Sequence, residues 1–180
     1  MSDTSPAGAT PPLADLFALL PSFGLSNAAA TLVGQSLGAR QPERAEQAVW
    51  TAGRLNAVFL GSMGLVFVLA AGPLAGAFTS DEAVRAHAAT ALRIVSAGFL
   101  FYAFGMVVTQ AFNGAGDTAT PTALNVCCFW LLELPVAWVL SGPLGLGPSG
   151  AFVSITLAFS VLAVAATVVF RRGHWKHRQV

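Results

Sequence analysis

Charge-free apolar runs alternate along this chain with short polar breaks. Leu16 to Leu37 carries no charged residue, nor does Leu55 to Gly72, nor Ile94 to Gly116, nor Leu134 to Phe170. A bilayer core about 30 Å thick needs roughly 20 consecutive apolar residues in a helix. The first three runs are near that length, and the last is too long for one span. Breaks between them carry helix punctuation. Arg40 to Arg44 is a polar turn in which Pro42 opens a new helix, and Gly72-Pro73 reads as a stop. Thr79-Ser80-Asp81-Glu82 reads as a capping box with acids in the first turn. Gly114 to Asp117 is a turn, with Pro121 in the first turn of the next helix. Gly142-Pro143 breaks that helix, and Pro148 starts the last.

The pattern predicts an all-α integral membrane protein with five spans, at about 13–39, 45–71, 83–113, 120–141 and 148–170. Pro21 is a kink candidate in the first. Residues 1–12 read as a disordered polar tail without the basic and cleavage elements of a signal peptide. Residues 173–180 read as a basic tail.

Composition supports the bilayer as solvent. Hydrophobic residues make up 55% of the chain and charged residues 9%, and 180 residues cannot bury four or five such helices in a soluble core. A net charge of +1 gives no case for nucleic acid. His87, His174 and His177 lack metal-ligand spacing. Adjacent Cys127 and Cys128 rule out a disulfide framework and read as inert packing residues. No enzyme motif is present, so catalytic residues, metal site and cofactor are all expected to be absent.

Basic residues set the expected orientation. Arg40 and Arg44 fall on the same side as Arg171, Arg172, Lys176 and Arg178, which is therefore cytoplasmic, and the C-terminus with it. Trp138 and Trp175 are expected in the interfacial belts. An odd number of spans places the N-terminus outside, which points to a helix upstream.

Four stretches resemble the multidrug and toxin extrusion (MATE) family. They are Ala28 to Ala39 (AAATLVGQSLGA), Asn113 to Thr118 with Pro121 (NGAGDT), Glu133 to Trp138 (ELPVAW), and Pro143 to Gly147 with Gly150 (PLGLG). Each is weak alone; their order and spacing carry the likeness across Leu13 to Arg172. The resemblance implies helices eight to twelve of a twelve-helix transporter, most of its C-terminal lobe, without helix seven and the N-terminal lobe. It implies efflux of small cationic or amphipathic compounds across the inner membrane, driven by sodium ions or protons as coupling ion. A chain of this extent is expected to be inactive alone and to need the other lobe or a complementary chain. The alternatives are a non-transporting gene fragment, an assembly subunit, and a lipid-linked flippase of similar architecture.

Glu133 is the leading pathway candidate, because a carboxylate within a span is costly. Asn125 and Phe129 precede it at i+4 steps and share its face. That face reads either as a relay or cavity wall, or as a carboxyl group hydrogen-bonded to a neighbouring helix. Pro135 frees a carbonyl one turn back and is expected to take part in helix packing. Tyr102, Met106, Thr109, Gln110 and Asn113 form a second polar stripe, expected towards the cavity or towards another helix. No Asp or Glu lies between Arg93 and Asp117. One branch of the family that the chain resembles binds its coupling cation at an acid on this helix, so the resemblance implies no such site at this position. Gly34 and Gly38 are expected to bring helices close, Asn27 and Asn56 to bridge helices, and Asp117 to close its turn.

Overall fold

The computed structural model describes residues 11–177, with side chains from 20 to 176. Most of the expected N-terminal tail and the last three residues of the basic tail lie outside that range. Pro11 and Pro12 already belong to the first helix.

Helix α1 (Pro11–Gly38) runs on through Pro21. It ends in a Schellman turn, where Gln41 N–H donates to the Ser36 carbonyl at 2.8 Å and Arg40 N–H to that of Leu37 at 2.9 Å. Arg40 takes the left-handed position of this turn, at φ 57°. Helix α2 (Pro42–Phe78) then spans 37 residues, about 56 Å at 1.5 Å per residue. It does not stop at Gly72-Pro73 as the sequence predicts. Pro73 and Leu69, whose carbonyl the ring displaces, both lie on an exposed flank. The helix gives up one bond there and continues. The next helix is capped by Asp81 rather than by a Thr79–Glu82 box. The Asp81 carboxylate accepts from Ala83 N–H at 2.9 Å and Val84 N–H at 3.1 Å, while Thr79 Oγ1 accepts from Asp81 N–H.

The expected helix over 83–113 is two helices, α3 (Glu82–Ala97) and α4 (Phe99–Gly114), bent by 52° at Gly98. A Cβ at Gly98 would lie 2.9 Å from the Thr156 methyl and 3.0 Å from the Tyr102 ring. Thr156 Oγ1 donates to the Ile94 carbonyl at 3.2 Å. A side chain from another helix thus supports the break.

The fourth span is continuous over Ala119–Ser141 but not uniform. It comprises α5 (Ala119–Asn125), a π-helical segment (Val126–Glu133) and α6 (Leu134–Ser141). Pro135 lies just beyond the π segment. An α-helix would set its ring against the Leu131 carbonyl, and the wider i→i+5 turn relieves that clash. Pro135 is exposed, so it shapes the register of its own helix and does not pack helices together as expected. Helix α7 (Pro148–Arg171) follows, and a 3₁₀ turn (His174–His177) closes the described chain.

Among the described residues, α2, the continuous Ala119–Ser141 span and α7 are each long and apolar enough to cross a membrane, and α3 with α4 makes a fourth as one bent span. With α1 they form the five expected rods of an all-α, multi-pass bundle. Helix α4 is its axis, packed on α1, α2 and α7. Alanine and other small residues fill much of the core: Ala29, Ala45, Ala57, Ala103, Ala111, Ala158 and Ala166 are all buried. Where lipid removes the hydrophobic drive between helices, small residues bring backbones together. Gly34 and Gly114 do this between α1 and α4. A Cβ at Gly34 would stand 3.1 Å from the Gly114 carbonyl, and one at Gly114 only 2.2 Å from that of Ala30. Gly38 has no such neighbour, so the expected pair reduces to Gly34.

The outside of the bundle is the reverse of a soluble surface. Val58 and Leu69 are each 74% exposed and Trp138 72%, as suits a lipid environment. Trp175, expected in an interfacial belt, is instead 1% exposed. The chain folds back at Gly173 (φ 74°), and the Trp175 indole stacks on Phe170 at 4.6 Å and donates to the Phe170 carbonyl at 2.9 Å.

Candidate functional site

Two polar features interrupt the apolar surface. The first is a seam where α1 lies along α4. Ser22 Oγ donates to Met106 Sδ at 3.4 Å. Gln110 Nε2 donates to Asn27 Oδ1 at 2.8 Å, and Asn113 Nδ2 donates to Gln110 Oε1 at 2.6 Å. Asn27 and Asn113 are exposed, while Met106 and Gln110 are half-buried. Each amide keeps further donors and acceptors after these bonds. The outer edge of the seam therefore offers neutral hydrogen-bonding groups and a thioether, suited to holding polar or cationic groups without a fixed charge.

Tyr102 leaves this stripe. It is 5% exposed and packs on Phe99 and on Phe159 of α7, with ring centroids at 5.9 and 4.6 Å. The stripe divides because α4 has different neighbours on its two flanks. Met106, Gln110 and Asn113 meet α1, whereas Tyr102 meets α7. Thr109 is half-buried, its hydroxyl oxygen covered and without a hydrogen-bond partner among the described residues.

The second feature is the π segment. Glu133 ends it and Asn125 precedes it, both half-buried. Neither has a hydrogen-bond or ion-pair partner among the described residues. Phe129, on the face expected to carry both, lies 4.9 Å from Phe159. Phe159 thus touches Tyr102 and Phe129 together, joining two stripes that the sequence kept apart. The opposite flank of this span is exposed and apolar, with Val126, Trp130, Leu131, Leu134 and Trp138.

Asn56 and Asp117 lie as expected. Asn56 is fully buried and donates to the Ala103 carbonyl at 3.0 Å, bridging α2 and α4. Asp117 closes its turn by accepting from Thr120 N–H at 3.2 Å and Thr120 Oγ1 at 2.7 Å. Cys127 is exposed and Cys128 buried. Sequence reasoning passed over Ser22 and Phe159. Neither stands out among the serines and phenylalanines of an apolar helix until its neighbour is known.

Comparison with known proteins gives a consistent answer. Residues 6–139 match the family described as MatE. A probable multidrug resistance protein NorM from Rhodopseudomonas palustris is 34% identical over 154 residues, covering 83% of this chain and 32% of that protein. Protein DETOXIFICATION 21 of Arabidopsis thaliana is 28% identical, covering 86% and 31%. The chain spans about a third of the length of such relatives. Among solved structures, a multidrug resistance MATE family transporter of the MOP superfamily matches in its inward-facing conformation with TM-score 0.84, at 20% identity over 95% of this chain and 40% of that one. An outward-facing structure matches with TM-score 0.82, also at 20% identity, over 89% and 36%.

Proposed function

The chain belongs to the MatE family, and from that premise we propose that it supplies the C-terminal lobe of a two-lobe antiporter that expels cationic or amphipathic compounds in exchange for sodium ions or protons. Its relatives carry the names of multidrug resistance and detoxification proteins. The seam of Asn27, Met106, Gln110 and Asn113 is the observation that carries the reading. A line of exposed amides in an apolar bundle is unfavourable against lipid and useful against a water-filled cavity. In this reading α1 and α4 face the partner lobe, and Trp138 and the flank around it face lipid. The bundle resembles one unit of both inward-facing and outward-facing transporters, which fits a lobe that rocks as a body. The lobe sits in the cell's inner membrane, with the basic C-terminal end in the cytoplasm.

A chimera tests this. Residues 13–172 would replace the matching third of a NorM relative, and extrusion of a cationic dye would be followed with and without an ion gradient. Gradient-dependent extrusion is the expected result. A well-folded chimera with no extrusion would refute the assignment.

Glu133 is assigned to the ion or substrate pathway, together with Asn125. In an active chimera Glu133→Gln keeps hydrogen-bonding capacity and removes the titratable charge. Most of the transport, or its pH dependence, should be lost while the amount of folded protein stays constant. For a packing residue the order reverses: Gln would be silent, and Glu133→Leu would cost about 1–3 kcal/mol of stability. Normal flux of the Gln variant at every pH would remove Glu133 from the pathway.

A further inference from the structure

Where α2 begins and α7 ends, basic side chains outnumber the acids left to meet them. Glu46 is fully engaged. Its Oε1 accepts from Trp50 Nε1 at 3.2 Å, and its Oε2 pairs with Lys176 at 2.5 Å. The Arg171 guanidinium lies 5.5 Å from the centre of the Trp50 ring, and Arg172 beside it is exposed. Arg54 is exposed one helical turn beyond Trp50. Arg54, Arg171 and Arg172 have no carboxylate partner among the described residues. Glu43, the other acid at this end, is exposed in the first turn of α2 and likewise has no ion pair among them.

Depth decides what meets these charges. Arg54 stands about 18 Å along α2 from Pro42, and its flank continues in exposed Val58, Leu65 and Leu69. A soluble anion would have to reach down beside that apolar flank. A lipid phosphate is already at the boundary, with its acyl chains lying along Val58 and Leu65. A zwitterionic headgroup brings its own cation, whereas three unpaired arginines favour a net negative one. We infer that Arg171, held over the Trp50 indole, and Arg54, one helical turn further along α2, bind the phosphate of an anionic phospholipid whose acyl chains follow the apolar flank of α2. The site requires embedding in a bilayer and does not depend on transport.

Trp50 reports on the site directly. With Trp130→Phe and Trp138→Phe removing the distant exposed indoles, the chain would be placed in phosphatidylcholine vesicles containing a fixed fraction of brominated phosphatidylglycerol or of brominated phosphatidylcholine. Brominated phosphatidylglycerol should quench tryptophan emission more strongly. Its relative affinity should fall about fivefold for each arginine neutralised in Arg54→Gln and Arg171→Gln, while the Lys substitutions retain the preference. Equal quenching by the two brominated lipids in the arginine-intact chain would overturn the inference, whatever the Gln variants do. Displacement of the lipid effect by soluble glycerol phosphate would also overturn it, by showing a site for a free anion.

Discussion

Gly114→Ala should prevent α1 from seating on α4 and remove most of the folded protein. The added Cβ would lie 2.2 Å from the Ala30 carbonyl oxygen and 2.8 Å from its carbon and Cα. These are backbone atoms, so no rotamer change relieves the overlap, and one helix must move off the other. Overpacking a tight interior costs typically about 1–3 kcal/mol when side chains can shift, and more when they cannot. The movement would also pull apart the Gln110–Asn27 and Ser22–Met106 contacts, since both span the same two helices. Gly38→Ala is the control. It adds a methyl group with nothing within 4 Å, and alanine is the better helix former by roughly 0.5–1 kcal/mol in a helix interior, less at this helix end. The yield of monodisperse protein and its melting temperature in detergent should separate the two. A Gly114→Ala protein that melts with the parent would show that the helices are not packed as described.

Trp175→Ala should destabilise the chain by about 3–5 kcal/mol, the range for removing a buried large aromatic. The indole is 1% exposed, stacked on Phe170, and its N–H satisfies the Phe170 carbonyl. Trp175→Phe keeps a stacking ring and loses the hydrogen bond, at about 1 kcal/mol, together with part of the buried indole, so its cost should fall below that of alanine. Lys176→Ala should matter less than Trp175→Ala. Its pair with Glu46 is 27% and 34% exposed, and exposed pairs contribute about 0–1 kcal/mol. Burial of the ring, and not the ion pair beside it, therefore fastens the end of α7 to the bundle. Thermal unfolding in detergent would rank the three, and an alanine variant as stable as the phenylalanine one would contradict that ranking.

Much of the bundle was legible because a bilayer imposes length and polarity on each span. The charge-free runs, with Pro42, Pro148 and the turn at Gly116, locate the five rods to within a few residues, save the far end of α2. Asn56 also read correctly, since a lone polar group within an apolar helix has few uses, and so did Asp117, since an acid in a tight Gly-rich turn most simply closes it. What the sequence hid was decided by distant neighbours. Gly98 looks no different from Gly105, and the bend falls at Gly98 because Thr156 reaches the Ile94 carbonyl from 62 positions away. Trp175 has the setting of an interfacial residue, an aromatic ring after a basic pair, and only the reversal at Gly173 takes it inside. The helical stripe from Tyr102 to Asn113 was visible as periodicity, but periodicity cannot say that two different helices cover its parts.

The π-helical stretch before Pro135 has a consequence for how this span tolerates length changes. Each i→i+5 turn holds one residue more than an α-turn, so Val126–Glu133 stores surplus chain inside an otherwise regular helix. Removing one residue from an ordinary membrane helix rotates everything beyond it by about 100° and exchanges its lipid and protein faces. Deleting Cys127, whose side chain is exposed, should instead draw the ladder back to α geometry and leave α6 seated on α7, at the cost of a local kink where the Pro135 ring again meets the carbonyl one turn back. Deleting Val161 from the middle of α7 should scramble every contact that helix makes beyond it. Deletion variants of the two spans, compared by folded yield, would show the fourth span to be the one place in the bundle where the chain can shorten without losing its register.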